Sequence, residues 1–315
     1  MKKILVVDNS DYSNKIKNIF EKNGYDVVIC DSAFGAISKL RAFDFDLLVT
    51  EVDLPGSNSF ELYEYIKEHY PYIPIIMLTE KNIDSLFSNI ISRGIGNVLH
   101  KPLNEAEFIK LSEKLINLEN IFGLENYLPD ISQMKRIRIT KSAQIKKAVI
   151  IAIETIKSWG FTIRSETTLN LMLNEMAINA VYHSHGLTEE KLKRIPVVLQ
   201  EDKFVDIHFG HSKKSFAISI TDYNGKLTKE RILESIHNVI KQNELMDRCL
   251  QTGEDFTEFI SESGRGIDLV RKLAGEYYFI IKRDFKTEII LVFQDNESTT
   301  PGFSSLKIIE DRSHF

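Results

Sequence analysis

The chain has 315 residues, 43% apolar and 27% charged, with a formal net charge of −5. Those values suit a globular protein with room for about two cores of roughly 150 residues each, and without a block of Lys or Arg they lend nucleic-acid binding no support. Cys30 and Cys249 lie far apart without metal-ligand spacing, no 18 consecutive apolar residues occur, and Lys2-Lys3 leads into an apolar run too short for a signal peptide, so a reduced, cytoplasmic protein without direct membrane insertion is expected. Over the first 120 residues, short apolar runs alternate with amphipathic stretches. Residues 4–7, 26–30, 47–50, 75–79 and 97–99 are rich in β-branched side chains, as strands buried on both faces should be. Residues 13–22, 33–42, 59–69, 83–92 and 105–118 read as helices. Five strand–helix units in succession predict an α/β domain with a doubly wound parallel sheet, its functional groups at the carboxyl ends of the strands.

Residues 121–134 carry Gly123, Pro129 and mixed polarity and are expected to be a linker. From 135 to 295 the pattern changes. Strands are expected at 135–140, 205–209, 216–221, 278–283 and 288–293, and helices at 143–159, 165–183 and 266–274, with a polar helical stretch at 229–250. That order predicts an α+β sandwich, with helices on one face of a mostly antiparallel sheet. Residues 296–315 are polar and are expected to form a loose tail.

Four features of the first 120 residues fall at strand ends: Ile4-Leu-Val-Val-Asp8-Asn9, the strand and turn at 47–55, Thr79, and Lys101-Pro102. Together they resemble the receiver domains of two-component response regulators, which are flavodoxin-like in fold. The resemblance implies an Asp phosphoryl acceptor at the end of the third strand, and acidic residues after the first strand that hold Mg²⁺. It also implies a Lys and a Ser/Thr on the phosphoryl oxygens. Thr79 and Lys101 match those switch positions. The acceptor position, four residues before Pro55, holds Glu51, and Asp8 is followed by Asn9, which weakens the implied Mg²⁺ site. Glu is one methylene longer than Asp, so its carboxylate is displaced by about an ångström or more, enough to cost orders of magnitude in an in-line attack. It is also long enough to reach Lys101 in a permanent ion pair. Val98 stands where the family carries an aromatic switch residue. A receiver that is not phosphorylated is the expectation; slow phosphorylation of Glu51, or use of the nearby Asp53, are the alternatives.

Three boxes carry the second half. Asn174-Glu175-Met-Ala-Ile-Asn179 puts Glu175 and Asn179 on one helix face. Ile218-Ser-Ile-Thr-Asp222-Tyr-Asn-Gly225 ends a strand in an acid and a turn, and Ser263-Gly264-Arg265-Gly266 opens a helix with glycines, as phosphate-binding helix starts do. In this combination they resemble the histidine-kinase-like ATPase fold, and within it the anti-sigma-factor serine kinases. The resemblance implies Mg²⁺ held by Asn179 against ATP, Glu175 as general base, and Asp222, supported by Thr287, accepting from the adenine amino group. It places Gly225, Gly264 and Gly266 around the nucleotide and a lid between 225 and 264. Family spacing puts Gly two residues after the Asp; here Asn224 stands there, and Asn tolerates a left-handed backbone nearly as Gly does. No helical hairpin with a phosphorylatable His precedes the boxes, and His183 and His185 close the Asn179 helix. The leading expectation is an ATP- and Mg²⁺-dependent Ser/Thr protein kinase regulated in cis by a receiver. Its partner would be an antagonist, a sigma factor or another signalling protein, with a homodimer possible. The alternatives are an ATP-gated module that sequesters a partner, and a scaffold that has lost nucleotide.

Overall fold

The computed structural model describes residues 1–54, 59–252, 265–294 and 305–311, which divide into two units. The first holds residues 1–119 together with 305–307, and the second holds the remaining described residues.

The first unit alternates β1 (Lys3–Val7), α1 (Tyr12–Lys22), β2 (Asp26–Cys30), α2 (Ala33–Ala42), β3 (Leu47–Glu51), α3 (Ser59–His69), β4 (Ile75–Thr79), α4 (Phe87–Arg93), β5 (Asn97–His100) and α5 (Glu105–Ile116). The strands pair in parallel in the order β2-β1-β3-β4-β5. Every residue of β3 and β4 is buried, the burial that their unbroken apolar runs require when helices cover both faces. Helix starts are fixed by side chains: Ser32 accepts from the Gly35 N–H at 3.3 Å and Asn104 from the Glu107 N–H at 3.2 Å. The stretch at 83–92 is not one helix, because Asn82 caps a 3₁₀ turn at Ile83–Leu86 before α4 begins. Winding reverses at β1, between β2 and β3, so the carboxyl ends of β1 and β3 flank the crevice where such sheets carry their chemistry.

The second unit contains β6 (Gln133–Ile139), α6 (Ile145–Ser158), α7 (Glu166–Ile178), α8 (Thr188–Leu192), β7 (Val205–His211), β8 (Ser215–Asp222), α9 (Lys229–Thr252), α10 (Arg265–Leu273), β9 (Glu276–Lys282) and β10 (Lys286–Gln294). Its strands pair antiparallel in the order β6-β7-β8-β10-β9. Helix α6 buries Ile145, Ala148, Val149, Ala152, Ile153 and Ile156, a stripe at three- and four-residue spacing. That stripe packs on β7 and α7, while α10 packs on α7 and α9.

Two expectations fail here. Residues 121–134 are not a linker: Ile121, Leu124, Tyr127 and Leu128 are buried in the second unit. The Gly123 N–H donates to Glu288 at 2.8 Å, and the Tyr127 ring lies 4.6 Å from that of Tyr278. Gly123 and Pro129 masked an apolar spacing of three and four residues. Residues 296–315 are not wholly a loose tail, because a strand, β11 (Leu306–Glu310), buries Leu306, Ile308 and Ile309. In the first unit Leu306 and Lys307 pair antiparallel with Val98 and Asn97 of β5; in the second, Ile308–Glu310 pair in parallel with β9. The helical stretch expected at 229–250, within the expected lid, is the 24-residue helix α9, which buries Ile232, Leu233, Ile236, Val239, Ile240 and Cys249. Residues 253–264, including Gly264, lie outside the described residues.

Candidate functional site

In the first unit Asp8, Glu51, Thr79 and Lys101 all come from the carboxyl ends of strands, and all four are buried. The Lys101 ammonium lies between the two carboxylates, 2.9 Å from Asp8 Oδ2 and in a short ion pair with Glu51 Oε2. Asp8 Oδ1 accepts from the N–H and hydroxyl of Ser10 at 2.8 and 2.6 Å. Glu51 Oε1 accepts from the N–H groups of Val52 and Asp53 at 2.8 and 3.2 Å. All four carboxylate oxygens thus accept from the protein itself. Burial pulls the Lys101 ammonium down, but the hydrogen bonds and charges of Glu51 and Asp8 outweigh it and leave its pKa raised. The extra methylene of Glu51 lets one carboxylate reach its own strand-end N–H groups and Lys101 together. Asn9 is exposed. Asp53 lies past the strand end, exposed and paired with Lys81 at 2.6 Å. The Thr79 hydroxyl accepts from the Lys81 N–H at 3.0 Å. Sequence reasoning missed Tyr12, whose ring lies 4.7 Å from the Lys101 ammonium and whose hydroxyl accepts from the Leu103 N–H at 2.9 Å.

In the second unit Glu175 and Asn179 lie one turn apart at the end of α7, but the helix does not run on unchanged. At Asn179–His183 it widens into a π turn, a form that often marks functional sites. The Asn179 carboxamide oxygen accepts from the Lys191 ammonium at 2.9 Å, and the same ammonium lies 3.1 Å from His183 Nε2. Burial first, then Lys191 and Arg231, lower the pKa of His183; neutral, it accepts through Nε2. That tautomer leaves Nδ1–H to donate to Thr188 Oγ1 at 3.2 Å. Burial also lowers the pKa of Lys191, against the pull of Glu175. No motif marked Lys191; it arrives on α8, a short helix that sequence patterning did not resolve.

Gly266, in the first turn of α10, faces this helix end. A Cβ there would stand 2.8 Å from Glu175 Cβ and 3.6 Å from Asn179 Nδ2, so only glycine lets α10 begin against these residues. Asp222 ends β8 fully buried, its Oδ1 accepting from the N–H groups of Asn224 at 3.1 Å and Gly225 at 2.9 Å. The Ser184 hydroxyl also bonds this carboxylate, and burial, the largest influence, raises its pKa. The turn differs from the expected one: the left-handed residue is Gly225, φ 60°, and Asn224 keeps an ordinary backbone. A Cβ at Gly225 would collide with the backbone of Phe285 and Lys286. The Asn224 side chain instead donates to the Ser184 carbonyl and ties the turn to the end of the π turn. Thr287 faces Asp222 across β10 and β8, and its buried hydroxyl has no hydrogen-bond partner among the described residues.

Residues 4–113 match the response regulator receiver domain family. The transcriptional regulatory protein CrdR of Helicobacter pylori is 29% identical over 153 residues, 46% of this chain and 71% of that protein. The hybrid signal transduction histidine kinase D of Dictyostelium discoideum is 26% identical over 129 residues, 40% of this chain and only 8% of that protein. A solved CheY-like receiver domain protein from Methanospirillum hungatei is 29% identical, covering 36% of this chain and 94% of that one, with a TM-score of 0.34. With the parallel order of β1 to β5 and the strand-end cluster, the family match leads to one statement: residues 4–113 form a response regulator receiver domain, a module of two-component signal transduction.

Proposed function

We propose that the second unit binds ATP and transfers its terminal phosphoryl group to a serine or threonine of a protein partner, under the influence of the receiver domain. The observation that carries this reading is Gly266: its missing Cβ allows the start of α10 to lie against Glu175 and Asn179. The backbone N–H groups that open a helix favour anions, so phosphate at the start of α10 would sit beside Glu175. The adenine end fits as well. A carboxylate has about four lone-pair positions, and Asp222 retains acceptor capacity beyond Asn224, Gly225 and Ser184. The Thr287 hydroxyl beside it has no hydrogen-bond partner among the described residues, which suits a bond to a bound base. Bound ATP would supply the phosphoryl group. Glu175 would take the proton of the attacking hydroxyl, and Asp222 with Thr287 would orient the base. The partner would be an antagonist, a sigma factor or another signalling protein, as in the serine kinases that the three boxes resemble.

A second reading, an ATP-gated module that holds its partner without transfer, is favoured by the tether between Lys191 and Asn179. The two readings separate on Glu175. With labelled ATP and candidate antagonist proteins, Glu175→Ala is expected to lose about 10²–10⁴-fold in transfer rate, because a general base contributes that much. Its ATP affinity should stay within a few-fold, whereas Asn179→Ala should weaken binding as well. If Glu175→Ala leaves every activity intact while Asn179→Ala destroys it, the protein is a binding module.

A further inference from the structure

Two residues of the π turn, Asn179 and His183, and two of α8, Thr188 and Lys191, are linked by a chain of hydrogen bonds. Lys191 bonds Asn179 Oδ1 at 2.9 Å and His183 Nε2 at 3.1 Å, and His183 Nδ1 meets Thr188 Oγ1 at 3.2 Å. Thr188 opens α8, the same short helix that carries Lys191, so His183 grips α8 at both ends. Helix α8 is held from the other side too. The Leu187 N–H donates to the Tyr182 carbonyl at 2.8 Å, and the Tyr182 hydroxyl donates to the Ile195 carbonyl at 3.0 Å. The Lys191 side chain is half-buried, and its ammonium is therefore positioned by helix, histidine and carboxamide together. The oxygen it engages is the one that would hold Mg²⁺. A metal ion entering there must displace the ammonium and shed part of a tightly held hydration shell, for a neutral carboxamide ligand. An ammonium already in place needs neither step, and lysine binds phosphate as a compact point charge.

We propose that Lys191 supplies the positive charge at Asn179 that neutralises the nucleotide phosphates, making ATP binding by the second unit largely independent of divalent metal. The inference rests on the ATP reading above and deepens it. The test is calorimetric titration of the full chain with ATP, in excess Mg²⁺ and in EDTA, for the unmutated protein, Lys191→Met and Lys191→Arg, with thermal melts to verify that each variant is folded. The unmutated protein is expected to bind with affinities within about threefold of each other in the two buffers. Lys191→Met should lose about tenfold or more in EDTA, as removal of a charge-assisted contact implies, and recover in Mg²⁺. Lys191→Arg, which keeps the charge, should stay within a few-fold of the parent in EDTA and serves as the readout if Lys191→Met does not fold. ATP binding that vanishes in EDTA for the unmutated protein, or that Lys191→Met leaves unaltered in EDTA, overturns this inference and spares the nucleotide reading. Absence of ATP binding in both buffers overturns the two together.

Discussion

At the strand ends of the receiver domain, two buried carboxylates and one buried ammonium spend their bonding capacity on one another and on nearby N–H groups. In the second unit Asp222 is buried to a similar extent, but the Thr287 hydroxyl beside it has no hydrogen-bond partner among the described residues. The first cluster completes itself, whereas the second leaves a buried hydroxyl without a hydrogen-bond partner among the described residues, as the proposed nucleotide site would require. Burial alone does not separate a structural polar group from a binding one; what separates them is whether the protein has used up the lone pairs and hydrogens.

The largest expected effect tests the self-completed cluster. Lys101→Met leaves Asp8 and Glu51 buried beside each other without their cation, which should cost about 3–5 kcal/mol of stability. The effect has a pH signature. The folded-state pKa of Lys101 is raised above its ordinary 10.5, so its contribution is fully present below 10.5 and is lost as pH rises through the folded value. The gap in melting temperature between the two proteins should therefore be constant at neutral pH and narrow in strongly alkaline buffer. A stability difference under about 1 kcal/mol at neutral pH, typical of exposed pairs, would erase the contrast. Next in size is a gain of chemistry. Acetyl phosphate with Mg²⁺ should leave the unmutated receiver unmodified, while Glu51→Asp with Asn9→Asp shortens the locked side chain, restores the acidic pair and should raise phosphoryl incorporation about 10²-fold or more. Stable label mapped to Glu51 or Asp53 in the unmutated chain would show that the cluster is not closed. The smallest effect sharpens the open side. Asp222→Asn should weaken ATP binding by about 1–3 kcal/mol, and the unmutated protein should prefer ATP to GTP, since a guanine carbonyl would face a buried acceptor. Equal calorimetric affinities for ATP and GTP would remove Asp222 from the adenine site.

The receiver fold was almost fully legible because its strands are short and centred on apolar residues, a signal that depends only on neighbouring residues. Glu51 reaching Lys101 was legible too, as a matter of side-chain length. Legibility failed where a short segment owes its structure to distant partners. Residues 121–128 order themselves by packing on a sheet face, Gly123 bonding Glu288 from 165 positions away. Strand β11 is five residues long and was hidden within a polar average. Helix α8 is also five residues, too short to show a period, and with it went Lys191. Asn224 was read for its backbone tolerance, when its function is a side-chain bond to Ser184. Propensity describes what a residue permits; which permission is used depends on the neighbours that folding brings.

Strand β11 also bears on how the chain is made. The outer edge of β5 receives Leu306 and Lys307, some two hundred residues further along than Val98 and Asn97. A ribosome delivers residues in order, at about 5–20 per second, and the receiver sheet can wind up long before its last partner has emerged. For at least ten seconds by that rate the nascent domain presents an uncovered strand edge, the feature through which partly made proteins pair with the wrong neighbour. The residues that close it are Leu306 and Lys307, beside an edge whose own pairing residues are Asn97 and Val98. Among the described residues that edge holds two such pairs, and β5 itself is four residues long; an edge so short is a poor template for a stranger during the wait.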